Sequence, residues 1–182
     1  MALERWEIDS GHSGIYFSVR HLMIAKVRGH FARWSGAVLV EDGDFRLGSV
    51  SVVVDASSID SGVADRDTHL MSADFLDVIN HPEMTFTSTR IEKAANDRLR
   101  VAGDLTIRGV RREVILDTHH AGRAKDPWGN ERMAVSAQTS IDRKEFGLTW
   151  NKVLEAGGMM IGESIDIEIE VEAVKQVAKK IA

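Results

Sequence analysis

The chain has no cysteine, no excess of basic charge, no long apolar run and no familiar catalytic fingerprint. Without cysteine there are no disulfides and no thiolate metal centres, although that absence does not assign a compartment. The 23 basic residues are outnumbered by 28 acidic ones, for a net charge of −5, and both signs are spread along the chain. Nucleic-acid binding needs a basic stripe to neutralise phosphates, so that class is excluded. No window approaches the roughly 20 apolar residues of a membrane-spanning helix. Met1 to Ser10 carries acids and no apolar core, so it does not read as a secretory signal, and the expected location is cytoplasmic. Nucleophile elbows, phosphate loops and dinucleotide fingerprints are also missing. Gly11-His12-Ser13-Gly14 comes nearest to an elbow and is one residue short, and Gly157-Gly158 reads as a turn.

What is present is a period of two. From Ile165 to Val171 the residues alternate Ile, Asp, Ile, Glu, Ile, Glu, Val, giving one apolar edge and one acidic edge. Successive side chains of a strand point to opposite faces, so this is a half-buried strand. Its acidic stripe, with Glu172, reads as a solvated face. Ile15–His21 and Leu99–Ile107 alternate similarly, and Val50–Asp55, Arg111–Thr118, Trp34–Glu41, Met84–Ile91 and Met133–Ile141 bring the set to about eight. Short polar turns at 41–44, 96–97 and 108–109 separate them, with a longer loop around Trp128-Gly129-Asn130. Many strands with short turns and no helices between them predict an antiparallel barrel or sandwich. The 182 residues fall in the range of one domain, with a core over about 4–174 and a tail from 175 to 182.

One stretch breaks the pattern. Ser61 to Met71 has Val63, Asp67, Leu70 and Met71 spaced for a short helix, with Ser61 as its cap and Asp65 near its positive end. A strand is expected to end near Ile59, and an irregular segment to run on to Pro82. Asp65, Arg66, Asp67 and His69 are the parts of acid–base chemistry, but no nucleophile accompanies them. The simpler reading is that Arg66 and Asp67 tie the helix to the barrel, and that Arg143 does similar work at its own turn. The seven histidines lack the spacing of a zinc site, and His119 and His120 face opposite ways on one strand, so no metal is expected. His21 follows Ile15, Phe17 and Val19 inward, where it either meets a ligand head group or makes a structural hydrogen bond.

Four blocks then appear in order. They are Trp6–Asp9 with His12–His21; Asp55–Ser61 with Arg66–Leu70 and Ser72–Phe75; Gly103–Val110; and Ile141–Leu148. Together, from Trp6 to about Ala173, they resemble the YceI family of lipocalin-like polyisoprenoid-binding proteins. The resemblance implies an extended eight-stranded antiparallel β-barrel with a short helix near one end. It also implies a long isoprenoid, an isoprenoid quinone or a fatty amphiphile held in the interior. Many relatives are exported and some form homodimers.

The inward edges give a lining for such a site: Ile15, Phe17, Val19, His21, Phe31, Val38, Val52, Val54, Leu70, Phe75, Phe86, Leu105, Val135, Ile141, Ile165 and Ile167. Met23, Met71, Met159 and Met160 either rim an opening or fill gaps in the core. The expected function is binding, storage or transport of a lipid, with no catalysis and no cofactor beyond that lipid. The alternatives are an enzyme acting on a hydrophobic substrate in the same interior, or a barrel plugged by its own side chains and used for interactions. Eight strands suit either a filled or a hollow barrel, so the residues alone leave both open.

Overall fold

In the computed structural model, which describes residues 2–96 and 98–177, antiparallel strands close into a barrel. The strands are β1 (Leu3–Ile8), β2 (Gly14–His21), β3 (Ala25–Phe31), β4 (Trp34–Glu41), β5 (Asp44–Asp55) and β6 (Ile59–Asp60), followed by helix α1 (Ala64–Met71). Then come β7 (Glu83–Lys93), β8 (Arg98–Ile107), β9 (Val110–Lys125), β10 (Glu131–Asp142) and β11 (Ile161–Lys175). Three long runs are interrupted, so β1 continues into β2, β3 into β4 and β5 into β6. The eleven segments therefore make an eight-stranded barrel. The ring closes where β1 pairs with β4 on one side and β11 on the other, with Trp6 opposite both Val38 and Lys175.

Two of the three interruptions share one device. Asp9 and Asp55 each end a strand and accept a hydrogen bond from the backbone N–H two residues on, starting a short 3₁₀ turn. Asp142 does the same after β10. The short side-chain carboxylate offers the backbone a local partner in place of the next ladder bond. Two hairpins turn in two residues, at Asp42-Gly43 and Arg108-Gly109, all four with positive φ. That conformation matches the twist of the flanking strands.

The structure differs from the sequence expectation at three places. Leu3–Ile8 and Ala25–Phe31 are full strands, although neither was in the predicted set. Leu3–Ile8 is short and Ala25–Phe31 is diluted by Lys26, Arg28 and Gly29, so their alternation is weak locally. Both are strands because they pair with long neighbours. Ser61 does not cap α1, whose N-cap is Val63 without a side-chain bond. Asp67 instead accepts from the Ser61 backbone N–H (2.8 Å) and hydroxyl (2.6 Å), and Arg66 donates to the Ser61 hydroxyl and carbonyl. Arg66 and Asp67 thus tie the helix to the chain just after β6. The turn expected at 96–97 has Asn96 at positive φ, while Asp97 lies outside the described residues, as do residues 178–182 of the tail.

The two ends of the barrel differ. At one, the helix end, lie α1, the 22–24 and 108–109 turns and the 143–160 loop. Arg143, only 2% exposed, organises it. Its guanidinium donates to the carbonyls of Gly162 (2.7 Å), Leu148 (2.5 Å), Trp150 (3.0 Å) and Ile161 (3.4 Å). At the other, the termini end, Arg132 bonds Asp9, Asp126 and Glu172 together. Hydrogen bonds from Asn130 and then Arg132 hold the Asp126 carboxyl well below the usual carboxylate range.

Arg143→Met keeps a similar volume but leaves those carbonyls without their donor. Each unpaired buried polar group costs about 1–3 kcal/mol. The expected loss in urea unfolding is at least ~3 kcal/mol; a loss below about 1 kcal/mol would contradict this role.

Candidate functional site

Register fixes which side chains share the interior. On β2 and β11, Val19 faces Ile165, Phe17 faces Ile167 and Ile15 faces Ile169. Across β10, Ile141 opposes Ile165 and Val135 opposes Val171. Phe86 on β7 lies beside Val52 on β5 and Leu105 on β8. Continuing round the ring, these edges enclose an apolar cavity of about 360 Å³. Every residue expected on the lining does line it: Ile15, Phe17, Val19, His21, Phe31, Val38, Val52, Val54, Leu70, Phe75, Phe86, Leu105, Val135, Ile141, Ile165 and Ile167. The volume lies within the range of small-molecule pockets, roughly 300–1,000 Å³.

Two inward glycines keep the large rings from filling this space. Gly29 faces Phe17 across the β2–β3 ladder, and a Cβ there would sit 2.4 Å from the Phe17 ring. Gly103 stands beside Phe86, where a Cβ would sit 2.5 Å from that ring and 2.6 Å from the Thr87 carbonyl. Both rings therefore reach over a neighbouring glycine, into space that a Cβ would take.

The termini end of the cavity is closed. Trp6, Val40, Met133 and Ala173 are 0–1% exposed and form one cluster with Val38. Arg123 lies over the Trp6 ring at 5.0 Å and the Phe45 ring at 5.6 Å, and pairs with Glu4 at 3.4 Å. His120 packs against Phe45 with centroids 4.8 Å apart, directly above this floor. Its pKa is pushed below the ordinary histidine value by burial first, then by Arg123 and His119. His119, the adjacent residue, faces outward, as the alternation requires. Trp6, Phe45 and His120 were not among the predicted site residues. They meet only because β1, β5 and β9 are brought together by ring closure.

The helix end is where the lining reaches solvent. His69, with a side chain 39% exposed, lines the cavity beside Trp150 and Phe75, at ring distances of 4.6 and 5.0 Å. Its Nε2 pairs with Asp74 Oδ2 at 2.8 Å. The acid–base set suggested by Asp65, Asp67 and His69 is not assembled, since Asp67 is bound to Ser61 and His69 to Asp74. Half-buried His21 lines this region too, and no side-chain hydrogen bond to it occurs among the described residues. Met160 lines the cavity, Met23 and Met159 are exposed nearby, and Met71 packs against the core. The methionines thus divide between the two roles considered for them.

Among the described residues, one group of metal-type ligands exists away from the cavity. Atoms of Asp9, His12 and Glu172 lie within 4.8 Å of one another. Arg132 already donates to both carboxylates, so a cation there would meet a resident positive charge.

Comparison with known proteins agrees with this architecture. A family model described as a YceI-like domain matches residues 6–173. A UPF0312 protein of Vibrio campbellii is 34% identical over 170 residues, covering 93% of this chain and 86% of its own length. The crystal structure of the Campylobacter jejuni YCEI protein is 30% identical, with a TM-score of 0.74 over 87% of this chain and 90% of that one. A domain of Saccharophagus degradans described as polyisoprenoid binding is 13% identical, with a TM-score of 0.68 over 94% of this chain and 98% of its own. At that identity it speaks to the fold alone.

The environment of His120 makes a pH prediction. Its folded-state pKa lies below its unfolded value of 6.5, so the unfolded chain takes up the proton first. The neutral ring's contribution is intact above about pH 6.5 and is lost as pH falls below it. Unfolding free energy should therefore fall more steeply between about pH 7 and 5.5 in the wild type than in His120→Gln. Equal slopes would show that the ring titrates as if in water.

Proposed function

The chain belongs to the YceI-like family, and from that premise we propose that its barrel holds the hydrocarbon chain of a long isoprenoid, or a similar amphiphilic lipid, and serves to bind, store or carry it. The observation that carries this reading is the apolar cavity, closed by Trp6 at the termini end and meeting solvent at the helix end. A water-sized group occupies about 30 Å³, so the cavity suits roughly a dozen chain carbons, and a longer guest would extend past the mouth.

The energetics favour such a guest. Each buried methylene contributes roughly 0.8 kcal/mol, which for a dozen groups sums to on the order of 10 kcal/mol before the cost of ordering the chain. One methylene more or less changes this by only about 1 kcal/mol, so several chain lengths are accepted. Family membership favours a binding protein over an enzyme. The cavity itself brings a histidine–aspartate pair to its mouth with no hydroxyl or thiol bonded to the histidine among the described residues.

The test is extraction of the purified protein with organic solvent, followed by mass spectrometry. Recovery of isoprenoid-type or similar lipid near one per barrel is expected. A second arm fills the cavity. Ala137 is a small residue on the lining, opposite Thr118 and Ile169. Ala137→Trp should reduce binding of an added prenyl lipid at least ~10-fold while costing about 1–3 kcal/mol of stability. Gln138→Trp, on the outer face, should leave binding unchanged. No recovered lipid together with no binding of added prenyl alcohol or quinone would refute the reading.

A further inference from the structure

One turn at the helix end breaks local rules that the other tight turns keep. The hairpins at Asp42-Gly43 and Arg108-Gly109 meet their positive φ with a polar or charged residue followed by glycine. The β2–β3 turn meets it with Leu22 (φ 53°) and Met23 (φ 62°), followed by Ile24. A left-handed backbone is costly for a bulky side chain, and asparagine or glycine would make the turn more easily. The same side chains also stand in water: Leu22 and Met23 are exposed, and Ile24 is 86% exposed. Beside them a bridge between Val153 and Met159 forms a second tip, with Val153 76% exposed and Met159 exposed too. The two tips touch. Leu22 N–H donates to the Met160 carbonyl (2.8 Å), and Met23 Sδ lies 2.5 Å from where a Cβ on Gly158 would sit. Five exposed apolar side chains therefore stand on two adjoining tips. Residues that violate both backbone preference and burial point to function, and contiguous exposed apolar surface points to a contact.

Position and charge identify the partner. His21 and Met160, next to the tips along the chain, line the cavity, so the tips belong to the rim of its mouth. Arg20, Lys26 and Lys152 are exposed beside them, against Glu155. Lys26 also pairs with Asp166 at 3.5 Å, and Glu163 is taken by Lys144 at 2.7 Å. We propose that these tips dock the mouth of the barrel on a lipid bilayer bearing anionic head groups. Leu22, Met23, Ile24, Val153 and Met159 enter the boundary between head groups and acyl chains, while Arg20, Lys26 and Lys152 meet the phosphates. Projecting apolar tips suit a fluid layer that closes round them, and shallow apolar burial with nearby cations is how proteins hold to a bilayer surface. The acidic stripe does not oppose this contact. Glu168 lies opposite Tyr16, six residues below Leu22, or roughly 20 Å at about 3.3 Å per residue. That is well beyond the screening length of about 8 Å. Docking needs no guest in the barrel, so this inference goes beyond the container reading. Where both hold, a lipid passes between bilayer and cavity without crossing water.

The experiment is flotation of the intact chain with vesicles of phosphatidylcholine, alone or with one quarter phosphatidylglycerol. Wild type should float with the mixed vesicles and more weakly with phosphatidylcholine alone. Ile24→Asp combined with Val153→Asp should weaken binding at least ~10-fold, and Lys152→Glu about fivefold. Leu47→Asp, at an exposed apolar residue near the 42–43 turn of the opposite end, should leave binding unchanged. Ile24 and Val153 are exposed, so the double variant should keep the wild-type melting temperature. Because the chain has no cysteine, a single introduced thiol can carry an environment-sensitive dye. On mixed vesicles the dye on Met23→Cys should shift to the blue, and the dye on Leu47→Cys should not. Absence of vesicle binding, equal binding by the double variant, or a shift at position 47 alone would overturn the docking. Equal binding to both vesicle types would overturn the anionic assignment. Self-association that the double variant loses, without vesicle binding, would give the tips to a second copy of the chain and refute the proposal. A protein that yields lipid on extraction yet ignores vesicles refutes docking alone, whereas one that docks but holds no lipid refutes only the container reading.

Discussion

Each strand of this barrel must send one apolar edge inward, and the pairing of β1 with β11 makes those edges face one another across a common interior. A sheet left open would bury that edge against another layer. Here the ring leaves nothing but opposing walls, so the side chains alone decide whether the centre is solid or hollow. The walls are mostly Val, Ile and Leu, whose side chains are short and stiff, and the rings of Phe17 and Phe86 are laid over Gly29 and Gly103. Hollowness in this molecule is therefore a property of residue size at a few inward positions.

The same ring has two unlike ends, and the proposed function depends on the difference. Trp6 seals one end, with Arg123 and Lys175 over its ring and the Arg132 cluster drawing Asp9, Asp126 and Glu172 together nearby. The other end is built from loops held by Arg143, whose donors go to carbonyls rather than to carboxylates. Loops of that kind open locally at less cost than paired strands, which suits the end through which a guest must pass. Among the described residues, His120 Nε2 is a buried side-chain atom without a hydrogen-bond partner.

Much of this was legible in the residues because the strongest signal was local. The Ile/Asp/Ile/Glu alternation of β11 states both its conformation and its buried edge, and the residues deduced from such edges form part of the observed cavity wall. What escaped was non-local. Leu3–Ile8 and Ala25–Phe31 carry weak alternation and owe their strand geometry to their partners. Trp6, Phe45 and His120 are far apart along the chain, so no spacing rule links them, and Trp150 reaches the site from an irregular loop. Ser61 looked like a helix cap, but Asp67 and Arg66 claim it from inside the helix. Eight strands are compatible with a filled or an empty centre, so hollowness itself awaited the side-chain packing.

The most direct measurement is a high-resolution crystal structure of the protein as purified from cells, read for density inside the ring. The account predicts a continuous, unbranched or regularly branched chain of density running from the termini end past Phe17 and Phe86 to the helix end, with both rings over Gly29 and Gly103. Rings of Phe17 and Phe86 swung across the centre, leaving no passage, would contradict it.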